Sequence, residues 1–189
     1  MDAERLISLS RNDLAESRAV PDIMASAWQA QCLAQAIGDH LALLGPRELR
    51  GEARGLGEIG GRGGATPGHP VPRTGAAASR LSEVLDPRGT LTALGALLGE
   101  VGMALVGVAC TTDEEGLYWQ CVEAIDAADE AGDRVRAMLR RMAVHDRTRP
   151  PDRPDGERDR GGAAPGGAPE ARPAGAGGGR GQANPGVPR

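Results

Sequence analysis

Eight carboxylates lie between residues 113 and 133, and they are the side chains best suited to chemistry in this chain. Glu123, Asp126 and Glu130 follow one another in steps of three and four, which places them on one side of a helix. Paired carboxylates on a helix can hold Mg²⁺, with Glu115, Glu123 and Asp126 as the candidate ligands. The favoured interpretation is a solvated acidic face that pairs with neighbouring arginines one turn away.

The order of these acids is also a motif. Glu-Glu at residues 114 and 115, followed by Glu-x-x-Asp from Glu123 to Asp126, resembles all-helical nucleotide pyrophosphohydrolases. That resemblance implies a magnesium-dependent enzyme. In that family the two motifs lie on separate helices, whereas here they fall within one, and no basic set for a triphosphate accompanies them. An enzyme of this type is therefore kept as an alternative function.

Other catalytic and cofactor motifs are absent from the sequence. It contains no Gly-x-Ser-x-Gly elbow, no Glu-x-x-His pair for a di-metal site and no glycine run after a predicted strand. Cys32, Cys110 and Cys121 match no zinc or redox spacing, so we expect reduced, buried thiols. We predict no catalytic residue and no cofactor.

Trp119 falls on the same side of the helix as the acids. A tryptophan exposed beside carboxylates is a plausible partner contact, so Trp119, Glu123, Asp126 and Glu130 form a candidate interaction face. The favoured interpretation for Trp119 itself is that it is half buried and packs against the core.

The helix that carries these residues has a second, apolar side. Over residues 113–144 its small and apolar residues recur in steps of four and three, which predicts a seam that must pack on another helix. The spacing also predicts a capping box from Thr112 to Glu115. The seam consists of Leu117, Cys121, Ala124, Ala128, Ala131, Val135, Met138 and Met142.

Similar periodicity predicts helices over residues 2–17, 21–44, 46–59 and 90–110, with a short additional helix over 76–85. The fold class is therefore all-α: an antiparallel bundle of about four to six helices with Ala/Gly-rich seams. Predicted seam residues in the first two helices include Leu6, Ile7, Leu9 and Leu14, and Ile23, Ala27, Ala30, Ala34, Ile37, Leu41 and Leu44.

The bundle is expected to span residues 1–144, interrupted by a Gly/Pro-rich loop at about 60–78. Residues 145–189 contain eight of the 14 prolines and 11 of the 29 glycines, with hardly any large apolar side chain. Such a segment cannot bury enough surface to offset its ordering entropy, so we predict a disordered tail.

The segment from Leu91 to Ala109 carries a single charge, Glu100, and is long enough to cross a bilayer. It lacks an aromatic belt, and a carboxylate near mid-bilayer costs roughly 3 kcal/mol. A buried core helix is the favoured interpretation, and a membrane-associated protein is a further alternative.

Charge restricts the class of partner. Residues 1–144 carry 14 arginines against 20 acidic residues, which argues against a nucleic-acid surface. The amino terminus has no charged-then-apolar signal pattern, so the expected location is the cytoplasm. The leading hypothesis is a non-catalytic protein that binds itself or another protein.

Three stretches of the chain share features with a known family. They are Pro21-Asp22-Ile23 through Gly38, Arg50 through Leu56, and Leu98-Gly99-Glu100-Val101-Gly102 through Arg141. Over residues 1–59 and 90–141 the chain resembles an uncharacterised family of short, Ala-rich actinobacterial proteins. The resemblance implies a bacterial cytoplasmic setting and no catalytic residue, and the segment from Gly60 to Gly75 departs from the family's pattern.

Removal of residues 145–189 is expected to leave the thermal midpoint of the protein nearly unchanged, because a disordered tail contributes no core contacts. Differential scanning calorimetry of the full and shortened chains measures this. A large fall in the midpoint would show that the folded region extends beyond residue 144.

Overall fold

The computed structural model describes residues 1–62 and 78–148, and this part of the chain is an all-α bundle. Its five α-helices are α1 (Ala3–Glu16), α2 (Val20–Leu44), α3 (Arg50–Arg62), α4 (Pro87–Thr111) and α5 (Glu115–Thr148). Two 3-10 turns, Arg47–Leu49 and Ala78–Arg80, complete the described elements. The predicted fold class is thereby confirmed. Most of the predicted loop and all of the predicted tail beyond residue 148 lie outside the described residues.

α2 is the central helix and packs against each of the other four. Its sequence explains why: alanines at residues 27, 30 and 34 are fully or almost fully buried and keep the helix thin enough for close neighbours on several sides. Ile37 and Leu41 continue the same seam, and Leu33 is buried beside it. The predicted α2 seam is correct from Ala27 to Leu41.

α4 and α5 form an antiparallel hairpin because three residues connect them and they pack along their lengths. The predicted seams of both helices face the core. Gly95 lies at this contact, where a Cβ built on it would be 3.4 Å from Cγ1 of Val135, an ordinary van der Waals distance. The buried residues of the hairpin include Leu91, Leu94, Leu98, Val101, Leu105, Val108, Cys121, Ala128, Ala131, Val135 and Met138.

α2 and α3 also approach closely, at a glycine. A Cβ on Gly38 would lie 2.7 Å from the backbone nitrogen of Gly57 and 2.8 Å from the carbonyl oxygen of Ala53. Both distances are far shorter than a carbon can tolerate, so this helix crossing requires glycine. Gly57 of α3 lies at the same crossing, where a Cβ of its own would clash with the Asp39 side chain.

The chain start is held beside the segment that precedes α4. The Met1 amine donates to the Arg80 carbonyl oxygen at 2.6 Å and to Ser82 Oγ at 2.9 Å. The Ala3 amide donates to the Glu83 carbonyl oxygen at 3.2 Å. These hydrogen bonds fix the entry into α4 against the beginning of α1.

Several helix ends differ from prediction. α4 begins at Pro87, three residues early, because Asp86 caps it by accepting a hydrogen bond from the Arg88 amide at 2.9 Å. α5 begins at Glu115 and not 113, and the predicted capping box does not form. Thr112 Oγ1 instead accepts from the Glu114 amide at 3.1 Å.

α3 and α5 each continue past their predicted ends, to Arg62 and Thr148. Within 78–85 the structure has a 3-10 turn where a short helix was predicted, and residues 76 and 77 lie outside the described part. Two seam predictions were wrong. Leu44 is 75% exposed because α2 ends there, and Leu9 is 46% exposed on the side of α1 away from its core residues.

G38A is expected to lower the free energy of unfolding by about 1–3 kcal/mol, because the added methyl group forces α2 and α3 apart. G51A is the matched control. A Cβ at Gly51 meets nothing within 4 Å, so this change should be neutral or stabilise by up to about 1 kcal/mol. Urea unfolding of both variants measures these free energies. Equal stability of the two variants would refute the close crossing of α2 and α3.

Candidate functional site

The acidic face of α5 points into solvent. Trp119, Glu123, Asp126 and Glu130 are all exposed, and Trp119 retains 56% of its accessible surface. The Trp119 ring meets the ring of Tyr118 edge to face, with centroids 5.4 Å apart. The structure therefore places the four residues of the predicted interaction face along one exposed line, and the half-buried packing role favoured for Trp119 was wrong.

The three candidate metal ligands do not come together. Glu115, Glu123 and Asp126 are exposed on one continuous helix, and Glu115 lies about 12 Å along the axis from Glu123 at 1.5 Å per residue. Carboxylate ligands must lie within about 2.6 Å of one ion, so a straight helix cannot join these two. Across residues 1–62 and 78–148, no three His, Cys, Asp or Glu side chains are grouped to hold a metal.

The arginine pairs predicted along α5 form only in part. Arg136 donates to Asp133 at 2.6 Å, as expected for residues one turn apart. Arg134 does not pair with Glu130 and instead reaches α3, where its Nη1 donates to Glu52 at 3.1 Å. The acidic side of α5 thus keeps more uncompensated charge than the sequence pattern indicated.

Glu52 takes part in two ion pairs, and sequence reasoning missed it. Its side chain is 16% exposed and accepts hydrogen bonds from Arg134 at 3.1 Å and from Arg141 at 2.9 Å. These two arginines hold the pKa of Glu52 below its ordinary range, with Arg134 the larger cause. The seven-residue spacing of the arginines puts them on one face of α5, but nothing in the sequence identifies their partner.

A shallow groove lies beside this cluster, between the start of α3 and the end of α5. Its lining mixes acids and bases: Glu48 and Glu52 face Arg140, Arg141 and His145. Arg141 is already engaged by Glu52, and Nδ1 of His145 lies 3.9 Å from Glu48. The groove therefore contains the Glu52–Arg141 ion pair that joins two helices, and its lining does not gather charge of one sign for a ligand.

The outer side of α4 differs in character from every surface described so far. Six of its residues recur in steps of four and three and lie within an arc of about 80° at 100° per residue. All six are exposed, and none is an acidic or basic residue. We call this face the outer stripe; it consists of Thr92, Ala96, Gly99, Met103, Val106 and Cys110.

The outer stripe means that the core-helix interpretation of α4 was only half correct. One side of α4 is core, but only 33% of its most apolar 18-residue window is buried. Met103 is 73% exposed and Val106 is 41% exposed. By length and composition, α4 is also the one helix in the described residues that could cross a membrane.

The single acid of α4 lies at the edge of the outer stripe and is neutralised. Arg11 of α1 forms an ion pair with Glu100, and its Nε lies 2.9 and 3.1 Å from the two carboxylate oxygens. The hydrogen bond to Glu100 is the main cause that raises the pKa of Arg11. The edge of the outer stripe toward α1 is therefore polar but carries no net charge from this pair.

The cysteines occupy three different environments. Cys121 is buried, with its Sγ 3.9 Å from Sδ of Met24, and Cys32 is partly buried. Burial raises the pKa of both thiols, so they are poor nucleophiles. Cys110 is exposed in the outer stripe, and the expectation that all three are buried was wrong for this residue.

Comparison with known proteins identifies the family. A model described as a family of unknown function (DUF6099) matches residues 1–141, and the chain belongs to that family. No curated protein and no solved structure matches the chain. The uncharacterised family expected from the sequence is thus confirmed. Because the family description assigns no activity, function has to be argued from the surfaces above.

E52Q is expected to lower the free energy of unfolding by about 1 kcal/mol at pH 7, a value kept small because the arginine partners are about half exposed. The folded-state pKa of Glu52 is depressed, so its contribution is complete above the unfolded pKa of about 4.3 and is lost as pH falls through the folded pKa.

Urea unfolding of E52Q and the unsubstituted protein between pH 2 and pH 7 tests this, with D133N as a control that removes an exposed pair. The stability difference for E52Q should shrink as pH falls, and D133N should show little difference throughout. A difference for E52Q that is independent of pH would contradict the ionic origin of the effect.

Proposed function

We propose that this member of the family is a non-catalytic binding protein of the bacterial cytoplasm, and that a protein partner packs on the outer stripe of α4. One observation carries the proposal: a helix apolar on both sides, of which the bundle buries only one. The outer stripe extends about 27 Å, at 1.5 Å per residue from Thr92 to Cys110. Continuous exposed apolar surface of this kind marks interaction sites in soluble proteins.

The stripe supports binding better than the acidic face of α5 does. Trp119 could anchor a partner, but the surface around it is charged, and burying several carboxylates without partners is costly. The outer stripe can be buried without desolvating any charge. Met103 offers a large, adaptable apolar side chain, and Ala96 and Gly99 leave space for a neighbouring backbone or side chain.

A membrane surface is the second candidate for the outer stripe, because α4 is long and apolar enough to span a bilayer. The inner side of α4 argues against a span. Leu91, Leu98 and Leu105 pack in the core with α1, α2 and α5, so insertion of α4 alone would dismantle the bundle. A membrane could therefore contact the outer stripe only from its surface. Separation of soluble from membrane fractions would reveal such peripheral binding.

M103E tests the proposed function with a matched control. Met103 and Leu43 are 73% and 75% exposed, so neither M103E nor L43E should unfold the protein. M103E places a charge in the middle of the outer stripe and should abolish partner binding. L43E adds the same charge on α2 and should leave binding intact.

Binding is measured by light scattering after size exclusion and by pulldown from the native host with the full chain. W119A in the same assays tests the face predicted on α5. If W119A abolishes binding and M103E does not, the partner binds α5 and the proposed site is wrong. A protein that is strictly monomeric and captures no partner would refute the function itself.

A further inference from the structure

We infer that the partner of the outer stripe is a second copy of this chain, packed antiparallel about a two-fold axis level with residue 101. This inference rests on the proposed function and adds the identity and orientation of the partner. It follows from the order of residue sizes along the stripe.

The stripe has a small half and a large half. Ala96 and Gly99 lie toward the start of α4, and Met103 and Val106 lie toward its end. A Cβ built on Gly99 meets nothing within 4 Å, so the small half is open on the surface of the described chain. Because Met103 projects and Gly99 leaves a gap one turn away, the stripe has the shape of a knob beside a hole.

An antiparallel pair matches each large residue with a small one. Symmetry about residue 101 puts Met103 opposite Gly99 of the second copy and Val106 opposite Ala96 of the second copy. Thr92 and Cys110, which are similar in size, then face each other at the two ends. All three kinds of contact have about the same summed side-chain volume, so two helices can pack evenly along the whole stripe.

A parallel pair in register does not achieve this. It sets Met103 against Met103 and Gly99 against Gly99, so the helices crowd at one level and leave a void at the next. Crowding and voids both weaken packing. The four-three spacing is consistent with either direction, and residue size is what selects the antiparallel one.

Charge at the edge of the stripe fits the same arrangement. The antiparallel symmetry keeps α1 of both copies on one side of the helix pair. Along the helix axis, the two Glu100 side chains are then separated by only two residues. The two Arg11–Glu100 pairs therefore lie next to each other. Because each carboxylate is already neutralised by its own arginine, the two pairs meet without a net charge between the copies, and no charged residue lies within the stripe itself.

The size of the contact sets the expected affinity. A helix pair about 27 Å long and about 10 Å wide buries a few hundred Å² per copy, less than the roughly 800 Å² of a standard interface. Dimerisation should therefore be concentration-dependent, with a dissociation constant in the micromolar range. Measurements need protein from about 1 to 300 μM.

The closing experiment exchanges the knob and the hole. Sedimentation equilibrium of the full chain should show a monomer–dimer equilibrium. G99M fills the hole and should weaken dimerisation at least tenfold. G99M/M103A moves the knob to the other half and should restore affinity to within a few-fold. G51M is the control, because Gly51 is also open but lies on α3, and it should leave dimerisation unchanged.

Cross-linking with diamide reports direction. In the antiparallel dimer, T92C brings the introduced thiol against Cys110 of the second copy, and a disulfide should form between these positions. The two native Cys110 thiols are then about 27 Å apart, far beyond the reach of a disulfide, so the unsubstituted protein should not cross-link through them. A Cys110–Cys110 disulfide would overturn the antiparallel arrangement.

Other results separate this inference from the proposed function. A chain that is monomeric at every concentration overturns self-association. If that monomeric chain captures a different protein, and M103E but not L43E blocks this capture, the proposed function is retained and only self-association is wrong. A dimer that G99M does not weaken also overturns the inference, because its interface lies elsewhere. Circular dichroism of each variant verifies that the monomer is folded.

Discussion

α4 has apolar residues on both of its sides, and a bundle of five helices buries only one of them. The other helices of the described chain each turn a polar or charged side to water. α4 has only two charged residues, Arg88 and Glu100, and each is already paired, with Asp146 and Arg11 respectively. Its inner side is buried against α1, α2 and α5. The outer stripe is the apolar surface of α4 that this packing leaves outside.

The energies favour covering that surface. Apolar area removed from water is worth about 25 cal/mol per Å², so covering a few hundred Å² of the outer stripe offers several kcal/mol before the entropic cost of association. A comparable gain is not available on the acidic side of α5, where association would desolvate Glu123, Asp126 and Glu130 around Trp119. The acids of α5 also do not support a carboxylate enzyme. They lie apart along one exposed helix, and no metal-binding group of side chains forms among the described residues.

Much of the fold could be predicted because seams of small and apolar residues repeat at helical spacing. The α5 seam from Cys121 to Met138 and the α4 seam from Leu91 to Val108 were correct, with Ala124 only partly buried. Leu44 failed because it is the last residue of α2, and periodicity does not show where a helix ends. The Glu52 cluster could not be predicted, since it joins residues 82 and 89 positions apart in the chain. Gln31 was also missed: it is buried beside the α2 seam, where its side chain has no hydrogen-bond partner in the described protein.

The candidate site could be predicted only in part, because sequence patterning does not show which side of a helix its neighbours cover. Sequence patterning selected the inner side of α4 and treated the opposite side as part of an all-round buried helix, because apolar composition alone cannot distinguish one buried side from two. It selected the α5 acids because their residue types suggest chemistry, but a single helix cannot bring Glu115 and Glu123 to one ion. Only the packing of α1, α2 and α5 around α4 reveals which apolar residues remain free.

The most direct measurement of the central claim is the oxidation rate of Met103, followed by mass spectrometry as the concentration of the full chain rises. If the outer stripe is an interface, Met103 should become protected at high concentration, while Met1, which lies elsewhere and is 39% exposed, should oxidise at a constant rate. Equal oxidation of Met103 at all concentrations, and also in the presence of host lysate, would show that nothing covers the stripe and would contradict the account.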